Sequence, residues 1–127
     1  MTENNKRKEL KAMKIINSSE NLTPKEIYNL TMSPKTQKMK NAIGSRIEIG
    51  AWASYEDVNK KTGELQEVLA IMTPDGEIFA TNSPTFKEDF FRMQELFRDM
   101  GETVHAISVI SGMSKAGREF ISCAYED

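Results

Sequence analysis

From Ile47 to the C-terminus, the apolar residues alternate at period two, switch to helical spacing, and return to period two. Ile47-Glu48-Ile49-Gly50-Ala51-Trp52-Ala53-Ser54-Tyr55 alternates, and so does Leu65 to Met72. Thr73-Pro74-Asp75-Gly76 has the composition of a tight turn, which returns Glu77 to Thr81 as a third short strand. Pro84 to Met100 is a helix, capped by Ser83 with Pro84 in the first position, and Thr85 with Glu88 offers a second capping box. Phe86, Phe90, Met93, Phe97 and Met100 form one apolar stripe along it, and Gly101 ends it. Two further strands, Thr103 to Ser111 and Arg118 to Tyr125, flank a Gly112-Met113-Ser114-Lys115-Ala116-Gly117 loop.

Three strands, a helix and two strands is the threading of a five-stranded OB barrel, a fold often used to hold oligonucleotides. The expected fold is therefore mainly β: a five-stranded OB-like barrel (β-β-β-α-β-β) with short N-terminal helices. Thr23-Pro24-Lys25-Glu26 is a capping box for one of these, running through Leu30. Ser33-Pro34-Lys35-Thr36 starts another turn that runs into Met39. Ile27, Tyr28, Leu30 and Met39 would pack these pieces on the barrel as a lid. Residues 1–20 are polar, and Leu10, Met13 and Ile16 line only a weak helical face. The expected organisation is a flexible basic tail over 1–20 and one OB-like domain over 21–127.

Charge divides along the same line. Residues 1–46 carry ten Lys/Arg against four Glu, and residues 47–127 carry seven Lys/Arg against fifteen Asp/Glu. A basic arm on an acidic body fits an arm that touches phosphates or the acidic body of a neighbouring copy, and equally a solvated tail. No apolar run approaches the ~18 residues of a membrane span. Met1 to Lys8 is polar with no apolar stretch behind it, so a cytosolic chain is expected. The single Cys123 fits a reducing compartment and excludes an internal disulfide or a cysteine zinc cluster.

Little in the chain points to a reaction. His105 is the one histidine, in the fourth predicted strand with a local partner expected, and Cys123 in the last strand packs as a small hydrophobe. Glu56-Asp57, Glu88-Asp89 and Glu126-Asp127 are adjacent pairs whose side chains diverge in a strand or helix. No HExxH, GxSxG, P-loop or GxGxxG occurs, so no catalytic residue, metal or cofactor is expected.

Material for binding is better represented. Single strands are held by cations that follow the phosphates and by flat side chains that stack on bases. Trp52, Tyr55, Phe79 and Tyr125 are the aromatics on predicted strands. The alternation puts Ile47, Ile49, Ala51, Ala53 and Tyr55 on the core face and turns Trp52 outward, which makes it the preferred platform. Tyr55 and Phe79 suit the core or a platform equally. Lys60 and Lys61 lie on the first hairpin, Lys115 and Arg118 on the last. Those loops and the face of strands two and three are where OB barrels take a ligand.

With those residues in hand, the chain resembles the small single-stranded-DNA-binding proteins of bacteriophages and conjugative elements of Gram-positive bacteria. The resemblance covers roughly residues 22–125. It rests on Ile47 to Tyr55, on Thr73-Pro74-Asp75-Gly76-Glu77-Ile78-Phe79-Ala80-Thr81, and on Ser108 to Phe120. It implies non-catalytic, largely sequence-independent coating of single-stranded DNA during replication or transfer, in the cytosol of a bacterial host. By position, it makes Trp52 and Tyr55 stacking candidates and Lys115 and Arg118 phosphate contacts. Cellular single-strand binders end in a flexible acidic tail, whereas here the last strand leaves only Glu126-Asp127. The extension lies at the N-terminus instead, with opposite charge, and self-association through it is expected. Two rival readings use the same residues. One is a protein-interaction module or inhibitor of a nucleic-acid-handling enzyme; the other is an RNA-binding protein, separable by a 2′-hydroxyl preference.

Overall fold

The computed structural model describes residues 14–126. Of the expected tail over residues 1–20, residues 1–13, with Leu10 and Met13 and any self-association through them, lie outside the described residues. Residues 14–20 are not tail. Ile15–Ser18 forms strand β1 and pairs antiparallel with the strand that follows Gly50. That strand's outer edge would otherwise leave backbone donors and acceptors unpaired.

Helix α1, Pro24–Met32, carries the expected capping box: Thr23 Oγ1 accepts from the Glu26 amide, while Glu26 Oε1 accepts from Thr23. The chain then makes the two-residue strand β2 (Gln37–Lys38) and a 3₁₀ turn over Met39–Ala42. Of the expected lid residues, Leu30 and Met39 are fully buried and Tyr28 is exposed.

The predicted first strand is two strands, β3 (Arg46–Glu48) and β4 (Ala51–Val58), separated at Ile49-Gly50. Here consecutive amides leave for different sheets: Ile49 N donates to His105 O, and Gly50 N donates to Met72 O. A Cβ on Gly50 would lie 3.0 Å from Pro74 N and 3.1 Å from Met72 O, tighter than most side-chain contacts and against backbone that would have to give by a few tenths of an ångström. The break also reverses phase. Ile47 belongs to the core cluster containing Trp52, while Ala51 belongs to the opposite one. An irregularity of this kind swaps which residues face inward.

β5 (Leu65–Met72) and β6 (Ile78–Thr81) follow, joined by the expected turn. Within it Thr73 donates its hydroxyl to Asp75 and accepts from the Glu77 amide, and Gly76 adopts φ +94°. Helix α2 (Pro84–Asp99) begins on Ser83 Oγ, which accepts from the Phe86 amide. Phe86 and Phe90 are fully buried, Phe91, Met93 and Phe97 pack behind them, and Met100 is exposed. β7 (Ala106–Met113) and β8 (Glu119–Glu126) complete the chain.

The strands form a five-stranded sheet, β1-β4-β5-β6-β2, and a three-stranded sheet, β3-β7-β8. The chain is mainly β with two α-helices, but its ladders do not close into the expected barrel among the described residues. β2 occupies the outer edge of β6, through Gln37 opposite Phe79 and Lys38 opposite Ala80. β1 occupies the other edge of that sheet, and β8 pairs with neither edge strand.

Both faces of the large sheet are buried. Leu30 of α1 covers Ala51, Ala53, Tyr55, Val68, Ala70 and Met72. Phe86 and Phe90 of α2, with Ile107 and Val109 of the small sheet, cover Trp52, Leu69 and Ile71. This explains why Ala51 to Tyr55 is buried without interruption.

Candidate functional site

A groove of about 610 Å³ opens where the two sheets part. Val68 and Ala80 line it from the large sheet, beside Gln66, Thr81, Asn82 and Pro84. Across from them stand Glu119, Phe120 and Ile121 at the start of β8, and Lys38, Met39, Lys40, Ile43 and Ser83 complete the lining.

Each wall continues into a hairpin. On one side Gln66 Oε1 accepts from Asn82 Nδ2 at 2.9 Å and from Asn59 Nδ2 at 3.5 Å. Asn59 organises the β4–β5 turn: its side-chain oxygen accepts from the amides of Lys61 and Thr62, and its backbone pairs with Glu64 and Gly63. Lys60 and Lys61 ride on that turn, exposed. On the other side Ser114 closes the β7–β8 hairpin, donating its amide to Arg118 O and accepting from the Arg118 amide. Lys115 and Arg118 are exposed there, Arg118 directly before groove-lining Glu119. Both hairpins that carry the four cations singled out in the sequence are thus continuous with strands that line the groove.

The sequence-predicted aromatics do not join them. The outward phase expected of Trp52 is corrected: it is 7% exposed, in edge-to-face contact with Phe90 at 5.2 Å. The phase change at Gly50 and the cover of α2 are the cause. Tyr55 is buried on the opposite face, where burial and then Asp57 push its hydroxyl up to about 12. Phe79 is buried in the Trp52 cluster. Tyr125 is half exposed, but its ring lies 5.0 Å from Phe97 and it stands at the far end of β8 from the groove.

The ring that does line the groove is Phe120. A signal for it was present, because Phe120 falls out of phase with the buried Ile121 and Cys123 and opposite Gly112. A second cleft, of about 580 Å³, lies beside the Thr73–Glu77 turn and is lined by Arg46, Glu48, Asp75 and Glu77, among others.

Cys123 is buried as expected, and burial followed by Asp89 pushes its thiol up to about 12, so it stays protonated at neutral pH. His105 is exposed just before β7, its carbonyl accepting from Ile49. No group of three or more His, Cys, Asp or Glu is placed to hold a metal among the described residues. No helix among them is long and apolar enough to cross a membrane.

Cations on two hairpins, amides and a ring between them suit an extended anionic polymer that carries flat groups. That chemistry defines a nucleic-acid-binding class on a mainly β scaffold. The chain belongs to the phage single-stranded DNA-binding protein family of the Phi29 type, whose match spans residues 5–125. Its function is the binding of single-stranded DNA in phage replication, which agrees with the phage side of the resemblance. Neither a search of the curated proteins nor one of the solved structures found a match.

Proposed function

We propose that the DNA strand runs through the groove between the β4–β5 and β7–β8 hairpins, with Lys60, Lys61, Lys115 and Arg118 on its phosphates. What supports this is that both cationic turns lead directly into strands whose residues line one groove, Gln66 on one wall and Glu119 on the other. Lys38 and Lys40 extend the positive lining. The order β4-β5-β6-α2-β7-β8, and one bent strand shared by both sheets, support an OB-like arrangement that takes its ligand between these loops. Contacts to phosphates and stacked bases make the binding largely independent of sequence. Residues 1–13 extend the contact to DNA or to the acidic body of a neighbouring copy.

The test is anisotropy of a labelled oligo-dT across a salt series. Reversing the four hairpin cations to Glu should weaken binding more than about tenfold at low salt and flatten the salt dependence by ~0.7 per lost contact. Parent-like affinity in that variant would place the strand elsewhere. In the same titration, removal of residues 1–13 should lower cooperativity; unchanged cooperativity and affinity would remove the arm from the proposal.

A further inference from the structure

We infer that Phe120, laid across Gly112, is the surface on which a base of the bound strand stacks. The inference rests on the groove reading above and assigns within it the one component that the buried aromatics do not supply.

Phe120 lies on the outward phase of β8: Ile121 and Cys123 turn into the core, while Phe120 and Ser122 face the other way. A phenyl ring in that phase gains nothing from the core, yet it is only partly exposed. Its cover is the backbone of the paired strand. Gly112 stands directly opposite, and a Cβ built there would lie 2.6 Å from the ring's Cζ and 2.8 Å from Cε1. The ring therefore occupies the space that any other residue at 112 would fill. Gly112 lacks the φ above +20° that would itself call for glycine, so the close approach of the ring is what uses the missing side chain.

The ring, so seated, also lines the groove, where it is the one aromatic among the lining residues. Ile43, likewise in the lining, and Ile110, on the same face as Gly112, add exposed apolar surface near it. A ring already seated against backbone loses little freedom when a base covers it. Arg118 and Lys115 lie in the hairpin immediately before it, within reach of the phosphates of the same stretch of strand.

Anisotropy of a labelled oligo-dT with the full-length protein tests this at matched salt. Phe120→Ala should weaken binding by about tenfold, within the span of single stacking contacts, and leave the salt slope unchanged because no cation is lost. Gly112→Ala keeps the ring but pushes it off its seat and should weaken binding several-fold with the same slope. Phe120→Trp should bind like the parent and add an indole emission that the oligonucleotide quenches, distinct from the buried Trp52. It also decides the matter should Phe120→Ala fail to fold. A parent that binds while Phe120→Ala and Gly112→Ala bind equally well, or a Phe120→Trp emission blind to DNA, overturns the inference alone. A parent that binds no single strand at low salt overturns the groove reading and this inference with it.

Discussion

The groove between the hairpins and the cleft beside the Thr73–Glu77 turn enclose similar volumes, about 610 and about 580 Å³. Their charged linings are opposed. The groove has Lys38 and Lys40 against Glu119, and the turns that carry Lys60, Lys61, Lys115 and Arg118 lead into its lining strands. The cleft has Arg46 against Glu48, Asp75 and Glu77, and Arg46 Nη1 already lies 3.8 Å from Glu48 Oε2. Size does not choose between them. A polyanion gains from the first field and is repelled by the second, and the first holds the part-exposed Phe120 where the ring in the second is the buried Phe79.

The largest effect should come from a substitution in neither site. Trp52→Ala removes the indole packed on Phe90 and Phe91 and should cost about 3–5 kcal/mol in urea unfolding. Under conditions where the variant is folded it should bind oligo-dT like the parent, because Trp52 lines neither cleft. Affinity lost in a folded Trp52→Ala protein would restore the indole to the interface and undo the contrast.

Next in size is a paired comparison of the two linings. Lys38→Ala/Lys40→Ala should lower affinity several-fold at low salt and reduce the salt slope. Glu48→Gln/Glu77→Gln should change it by less than about twofold, and toward tighter binding, as repulsion is relieved. Equal losses in the two double variants would mean that the strand crosses both regions.

A further prediction concerns the scaffold they share. Tyr55 has its hydroxyl raised from 10.0 to about 12 in the fold, so its contribution is fully present below pH 10 and is lost as pH rises toward 12. Cys123, raised from 9.0 to about 12, acts in the same direction from a lower starting pH. Denaturation midpoints should therefore fall in alkali, and Tyr55→Phe should flatten that fall. An unchanged profile in Tyr55→Phe would remove the tyrosine as its source.

What was legible in the sequence was mostly local. The α2 stripe, the Thr23 capping box and the Thr73–Gly76 turn depend on residues a few positions apart, and all three hold. The hairpin cations were legible because turn composition identifies loops. The exposed ring is misassigned to Trp52 by alternation, although the phase of Phe120 against Ile121 and Cys123 was there to read. Alternation assigns faces only while phase is conserved and only one face is covered, and both conditions fail at β4. A glycine within a strand such as Gly50 can mark an irregularity, but nothing in the neighbouring residues says that the phase reverses across it. Polar Ser54 made the Trp52 face look wet, whereas it is fully buried. β1 was missed because Ile15-Ile16-Asn17-Ser18 makes an edge strand only through its partner β4. The open ladders follow from β2, two residues long and too short to carry a pattern.

The bend at Gly50 also sets an order of assembly during synthesis. Every strand of the five-stranded sheet has left the ribosome by Thr81, while β3 must wait for β7, whose Ile107 is the partner of Ile47. The nascent chain therefore passes through a stage in which one sheet is complete and α2 has no second sheet to close over. Trp52, Leu69 and Ile71 are then roofed on one side only. Contacts between residues so distant along the chain form late, and a half-roofed apolar face is where nascent chains adhere to one another. The C-terminal hairpin that carries Lys115 and Arg118 is thus also the last piece of the core to arrive, so on the proposed path of the strand a copy able to grip DNA there is a copy that has finished folding.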